Sequence, residues 1–182
     1  MKGVVFTELF DFVAATFGDD MVDDIIADSD LPNGGAYTSV GTYDHREMQA
    51  LVTALAVRTQ TDASSLLTGF GKKLCERFAH GYPAFFQGHG GLFDFLESVQ
   101  RHIHVEVRKL YPDAELPSFA THSRNTSLLE LDYRSCRPLA ALAEGLILGA
   151  AQHFGERVDV AQSRLADNEG NFVRFAIQHV AQ

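Results

Sequence analysis

Tryptophan is absent from this 182-residue chain, cysteine occurs twice, and 15 lysines and arginines face 24 aspartates and glutamates. Each shortage closes off a class of function. A formal net charge of −9 leaves no basic patch of the kind that grips a phosphate backbone, so nucleic acid is not an expected partner. Cys75 and Cys136 stand far apart in no metal-like pairing, which fits a reducing cytoplasm. No uninterrupted apolar run reaches the roughly eighteen residues of a membrane helix. The opening Met1-Lys-Gly-Val-Val-Phe-Thr-Glu-Leu-Phe carries one lysine and an early acid, with no small-residue cleavage site after it, so no signal peptide is expected. Gly-rich phosphate loops, Gly-x-Ser-x-Gly and a cysteine beside an obvious base are all missing, and the sequence does not advertise an enzyme. Internal repeats and low-complexity stretches are missing too.

What is present suits one globular domain: hydrophobic residues make up 46% and charged residues 21%. The 14 phenylalanines fit either a Phe-rich core or a pocket for a flat aromatic cofactor, and composition does not choose between them.

The first two-thirds reads helical. Val5, Phe6, Leu9, Phe10 and Val13 recur at helical spacing and Gly18 closes the run. A short acidic helix over Met21 to Ala27 follows, then Leu31-Pro-Asn-Gly-Gly breaks the chain into a loop. Asp44 and Glu47 form a capping box ahead of Met48, Leu51, Val52 and Leu55. A further helix from near Asp62 carries Leu66, Phe70, Leu74 and Phe78 as one stripe. Gly81 to Gly91 is loop-like, and Leu92 to Tyr111 reads as one long helix that stops before Pro112. After Pro117 the period changes to two. Leu129, Leu131, Tyr133, Ser135 and Arg137 alternate with Leu128, Glu130, Asp132 and Arg134, as in a strand. Leu139 to Phe154, apolar nearly all round, predicts a buried helix after Pro138. Val158 and Val160, then Val173, Phe175 and Ile177, flank Asn168-Glu-Gly170 and predict a hairpin. The fold class is α+β: a helical N-terminal half, then a small antiparallel sheet with one packed helix.

Among the eight histidines, His104 stands out at the edge of an apolar helical face with Phe93, Leu96, Val107 and Tyr111. A lone histidine there is more often a hydrogen-bonded core residue than a ligand, and His-x-Glu lacks the one-turn spacing of a helical zinc pair. A second cluster lies on the strand. Tyr133, Ser135 and Arg137 share one face, and two hydroxyls with a planar guanidinium make a cradle for a carboxylate or phosphate. Such a strand could also simply turn a polar face to water. Leu129 and Leu131 occupy the same face, however, and an unpartnered buried arginine costs several kcal/mol, about 3–5.

Taken together, Met1-Lys-Gly, His104-Val-Glu-Val-Arg-Lys-Leu-Tyr111, Leu116-Pro117, Tyr133-Arg-Ser-Cys-Arg137 and Ala143-Glu-Gly-Leu-Ile-Leu-Gly-Ala-Ala-Gln-His-Phe154 occur in the order seen in H-NOX domains. The chain resembles, over essentially its whole length, these heme nitric oxide/oxygen binding proteins, relatives of the heme domain of soluble guanylate cyclase. The resemblance implies a single domain over 1–182, with a helical subdomain over about 1–60 and a remainder that encloses heme b between the two. It makes His104 the iron ligand and Tyr133, Ser135 and Arg137 the propionate grip. It puts Val5 and Pro117 against the porphyrin, and Phe78 and Gly71 in the pocket region. Oxygen-holding members carry a distal tyrosine with polar support; the matching positions here are Leu142, Leu9 and Leu74. An apolar distal side implies a sensor of nitric oxide and CO, because oxygen loses a hydrogen bond worth about 1.5–3 kcal/mol. NO weakens the bond opposite itself, so the resemblance further implies that the His104 link loosens and frees its helix to signal. The implied partner is a separate sensor histidine kinase or diguanylate cyclase. No cysteine or histidine lies between Val158 and Gln178, so the C-terminal zinc site of some relatives is not expected. The competing readings are an oxygen-binding member of the same family, a heme enzyme such as a peroxidase, and a heme-free module for another small carboxylate.

Overall fold

The computed structural model describes residues 1–165 and 171–180. The chain divides into two compact units, Met1–Phe70 and Gly71–Gln182.

The first unit is helical. α1 (Gly3–Phe17) buries Phe6, Leu9 and Val13, the face its spacing dictates, and ends at Gly18, whose φ of 96° suits glycine. α2 (Asp19–Ala27) starts with two aspartates in its first turn, where the helix dipole favours negative charge. α3 (His45–Thr59) opens on the expected capping box, with Asp44 accepting from the Arg46 backbone at 2.9 Å and the Asp44 amide donating to Glu47. Gly3 is required: an added Cβ would sit 1.8 Å from the Thr38 carbonyl oxygen. α4 (Ala63–Gly81) continues from this unit into the next, with Leu66, Phe70 and Leu74 buried along its stripe.

The second unit is a sheet with helices. The strands β1 (Ser118–Arg124), β2 (Leu128–Ser135), β3 (Val158–Arg164) and β4 (Asn171–His179) form one antiparallel sheet in the order β1-β2-β4-β3. β2 alternates as its sequence predicts, with Leu129, Leu131 and Tyr133 buried. These side chains meet Val173, Phe175 and Ile177 of β4 in one apolar cluster. The helix α7 (Ala140–His153) supplies Ala143, Ile147, Ala150 and Ala151 to the cluster. The fold class is therefore α+β, as the pattern predicted. β3 and β4 pair antiparallel, while the Asn168-Glu-Gly170 turn lies outside the described residues. Among the described residues no helix is long and apolar enough to cross a membrane.

The stretch predicted as one long helix departs from that expectation. It consists of α5 (Leu92–Ser98), a π-helical segment over Val99–Ile103, and α6 (His104–Leu110). The π segment widens the turn so that the His104 amide bonds to the Val99 carbonyl, five residues back. A further short 3₁₀ turn, Pro83–Phe85, sits inside the loop between α4 and α5.

Candidate functional site

His104 begins α6 and is that helix's buried residue, only 8% exposed. Burial, with a smaller push from the positive charge of Arg108, lowers its pKa to about 4, so the imidazole is neutral at neutral pH. A neutral imidazole has a free lone pair, the form in which histidine binds metals. Its Nδ1 lies 3.4 Å from Oε1 of Gln100, one turn earlier. The same oxygen accepts a 3.1 Å hydrogen bond from the backbone amide of Phe119 on β1. The Phe119 ring sits 5.9 Å from the imidazole and 5.4 Å from the Tyr133 ring, so β1 bridges His104 to the strand cluster.

Tyr133 is buried, which raises the pKa of its phenol against the opposing influence of the Ser135 hydroxyl and the Arg137 charge. Ser135 closes β2, and its Oγ accepts from the Arg137 amide at 3.0 Å. Arg137 itself lies two residues past the strand, in the bend leading to α7, yet only 8% of it is exposed. One guanidinium nitrogen donates to the Glu115 backbone carbonyl at 2.9 Å and another to the Glu115 carboxylate at 2.6 Å. The third, Nε, is buried with no hydrogen-bond partner among the described residues. The pair is lopsided, with the Glu115 side chain 75% exposed over a buried cation. A guanidinium held so has a free donor for an incoming anion.

The second unit thus gathers His104, Tyr133, Ser135 and Arg137 around β1 and β2. Pro117 precedes β1 and is half-buried, and Phe78 on α4 packs against the apolar cluster. Leu74 and Leu142 are buried on α4 and α7. These two helices approach closely: a Cβ on Gly71 would lie 2.5 Å from the Leu142 carbonyl oxygen, and one on Gly149 would lie 2.6 Å from the Cys75 Cβ. Val5, half-buried, and Leu9, buried, sit one turn apart on α1 in the other unit. Gln100, Phe119 and Glu115 were not singled out by sequence. Only Gln100 left a usable signal, its position four residues before a buried histidine.

Residues 2–162 match the sequence model of the Haem-NO-binding family, HNOB. The chain belongs to this family. Its solved relatives are H-NOX proteins. That of K. algicida, in the unliganded Fe(II) state, is 35% identical with a TM-score of 0.93, over 100% of this chain and 98% of the other. That of Shewanella woodyi, bound to IWP-051 in the Fe(II)CO state, is 36% identical at 0.82, over 99% and 95%. That of S. oneidensis, in the Fe(II)NO state, is 25% identical at 0.89, over 100% of both chains. No curated protein matches the chain.

H-NOX domains are heme-binding gas sensors. The residues present here fit a heme. A neutral buried imidazole suits ferrous iron, and the orphaned Nε of Arg137 beside the Tyr133 and Ser135 hydroxyls suits a carboxylate.

Proposed function

We propose that this H-NOX chain senses nitric oxide through heme b, with His104 as the iron ligand and Tyr133, Ser135 and Arg137 holding the heme carboxylates. The observation that carries the reading is His104: a buried, neutral imidazole with one ring nitrogen facing Gln100 and the other without a hydrogen bond among the described residues. The heme supplies a ferrous iron that takes a diatomic gas as ligand. By the family likeness, Pro117 would press on the macrocycle and Phe78 would line its pocket. The sequence has no Cys-x-x-Cys-His, so the heme is held without thioether links.

Selectivity follows from the side chains matched to the gas-binding side. Retaining oxygen requires a hydrogen-bond donor beside it. Leu74 and Leu142, both buried, offer none, a loss of about 1.5–3 kcal/mol for oxygen. NO and CO do not depend on that bond. The same absence of an acid or base removes the groups a peroxidase needs, so the chain is a sensor and not an enzyme.

The readout is mechanical. His104 is the buried residue of α6, whereas Val105 and Leu110 are 40% and 62% exposed. Whatever holds or releases the imidazole therefore sets how firmly this helix is docked. A separate cytoplasmic sensor histidine kinase or diguanylate cyclase reads the difference.

The test is the absorption spectrum of the reduced, purified protein alone, in air and with NO. A heme spectrum that ignores air and changes with NO supports the reading. A stable change in air would reassign the chain to oxygen, and a colourless protein that stays colourless with added heme would refute it.

A further inference from the structure

We infer that Gln100 is a positioning residue for the iron ligand: its side-chain carbonyl, anchored by the Phe119 backbone amide, accepts a hydrogen bond from Nδ1–H of His104 and leaves Nε2 as the donor atom for iron. This rests on the reading of His104 given above. The orientation of the Gln100 amide is fixed by chemistry. A backbone N–H can only donate, so the Gln100 atom 3.1 Å from the Phe119 nitrogen must be oxygen. That oxygen is an acceptor only. The imidazole nitrogen 3.4 Å away therefore carries the proton, and the other ring nitrogen keeps its lone pair.

The local backbone serves this arrangement. Gln100 lies within the π segment and His104 directly follows it, the widened turn ending on the His104 amide. Gln100 is also where the helix meets the sheet. Phe119 stands opposite Tyr133 in the β1–β2 register, so one carbonyl links the imidazole to the strand paired with the one that carries the carboxylate grip. Partners of this kind fix the tautomer and raise the basicity of a ligating histidine, and their loss weakens metal holding about 10- to 100-fold.

Resonance Raman spectroscopy of the ferrous, heme-loaded full chain tests the inference through the iron–histidine stretching band. Gln100→Glu, similar in shape and a stronger acceptor, should move the band to higher frequency. Gln100→Leu, which removes the acceptor, should lower it and speed heme loss roughly tenfold. Because Gln100→Leu also strands the Phe119 amide and can compromise folding, Gln100→Glu decides alone. An unmoved band in that variant overturns the role of Gln100. A histidine band that is missing from the unmodified protein, or that survives in His104→Ala, overturns the ligand assignment and the inference with it.

Discussion

Two helical stretches of the second unit solve opposite problems. Leu92 to Leu110 is interrupted by a π segment and delivers a polar ring, that of His104, into a buried position. α7 runs unbroken from Ala140 to His153, is apolar on almost every side, and presses glycines against α4. The first gives up helical regularity to orient one side chain against Gln100 and the sheet. The second gives up side-chain volume to let two backbones approach. One region is organised around hydrogen bonds and the other around exclusion of them. The sensing proposed for this chain, with iron held on one side and a gas selected on the other, would use both.

Substitutions can break each side of this contrast. The largest effect should come from His104→Ala, which should leave the protein almost without heme unless imidazole is supplied; heme per protein, read from the absorbance ratio, checks it. Arg137→Ala should follow. Losing a charged partner worth about 1.5–3 kcal/mol predicts heme loss roughly ten- to a hundredfold faster, measured by transfer to an acceptor globin. On the apolar side, Gly149→Ala should destabilise by about 1–3 kcal/mol, since the new Cβ meets the Cys75 Cβ at 2.6 Å and the Lys72 carbonyl oxygen at 2.9 Å. A thermal melt at least a few degrees lower is the expected result. Leu142→Tyr should place a donor in the apolar region and prolong the spectrum seen in air; an unchanged decay would break the distal mapping. The smallest effect concerns thiols. Cys75 is buried, and burial pushes its pKa up to about 12, so a dilute thiol reagent should modify the exposed Cys136 and spare Cys75. Equal labelling would mean that the α4–α7 packing opens readily.

Much of this was legible in the sequence because it rests on local rules. Gly18, the Asp44–Glu47 box and the proline after Tyr111 mark helix ends by backbone chemistry alone, and the alternation of β2 needs only a buried face. The π segment was not legible: Leu96, Val99 and Ile103 fit a regular helical stripe as well as they fit the widened one. β1 went unread for another reason. It is an edge strand whose side chains are nearly all exposed, so no apolar alternation announces it, and its register shifts between Thr121 and Ser123. Of the site, the residue types of His104 and the Tyr133–Arg137 cluster signalled ligand chemistry. Their supports did not. Gln100 and Glu115 are ordinary surface residue types, and only the β1 backbone and the bend after β2 bring them to the imidazole and the guanidinium.

The π segment also makes a statement about chain length. Its turn holds one residue more than an α-helix would, so deleting a single residue between Ser98 and His104 would restore a regular helix and leave α6 facing as it does now relative to α5. Such a shortened chain would keep its helix and the direction of the His104 side chain, and would lose only the wide turn that leads to it. At this point in the sequence a one-residue gap is thus a milder change than in the unbroken α7, where it would turn the residues that follow by about 100°.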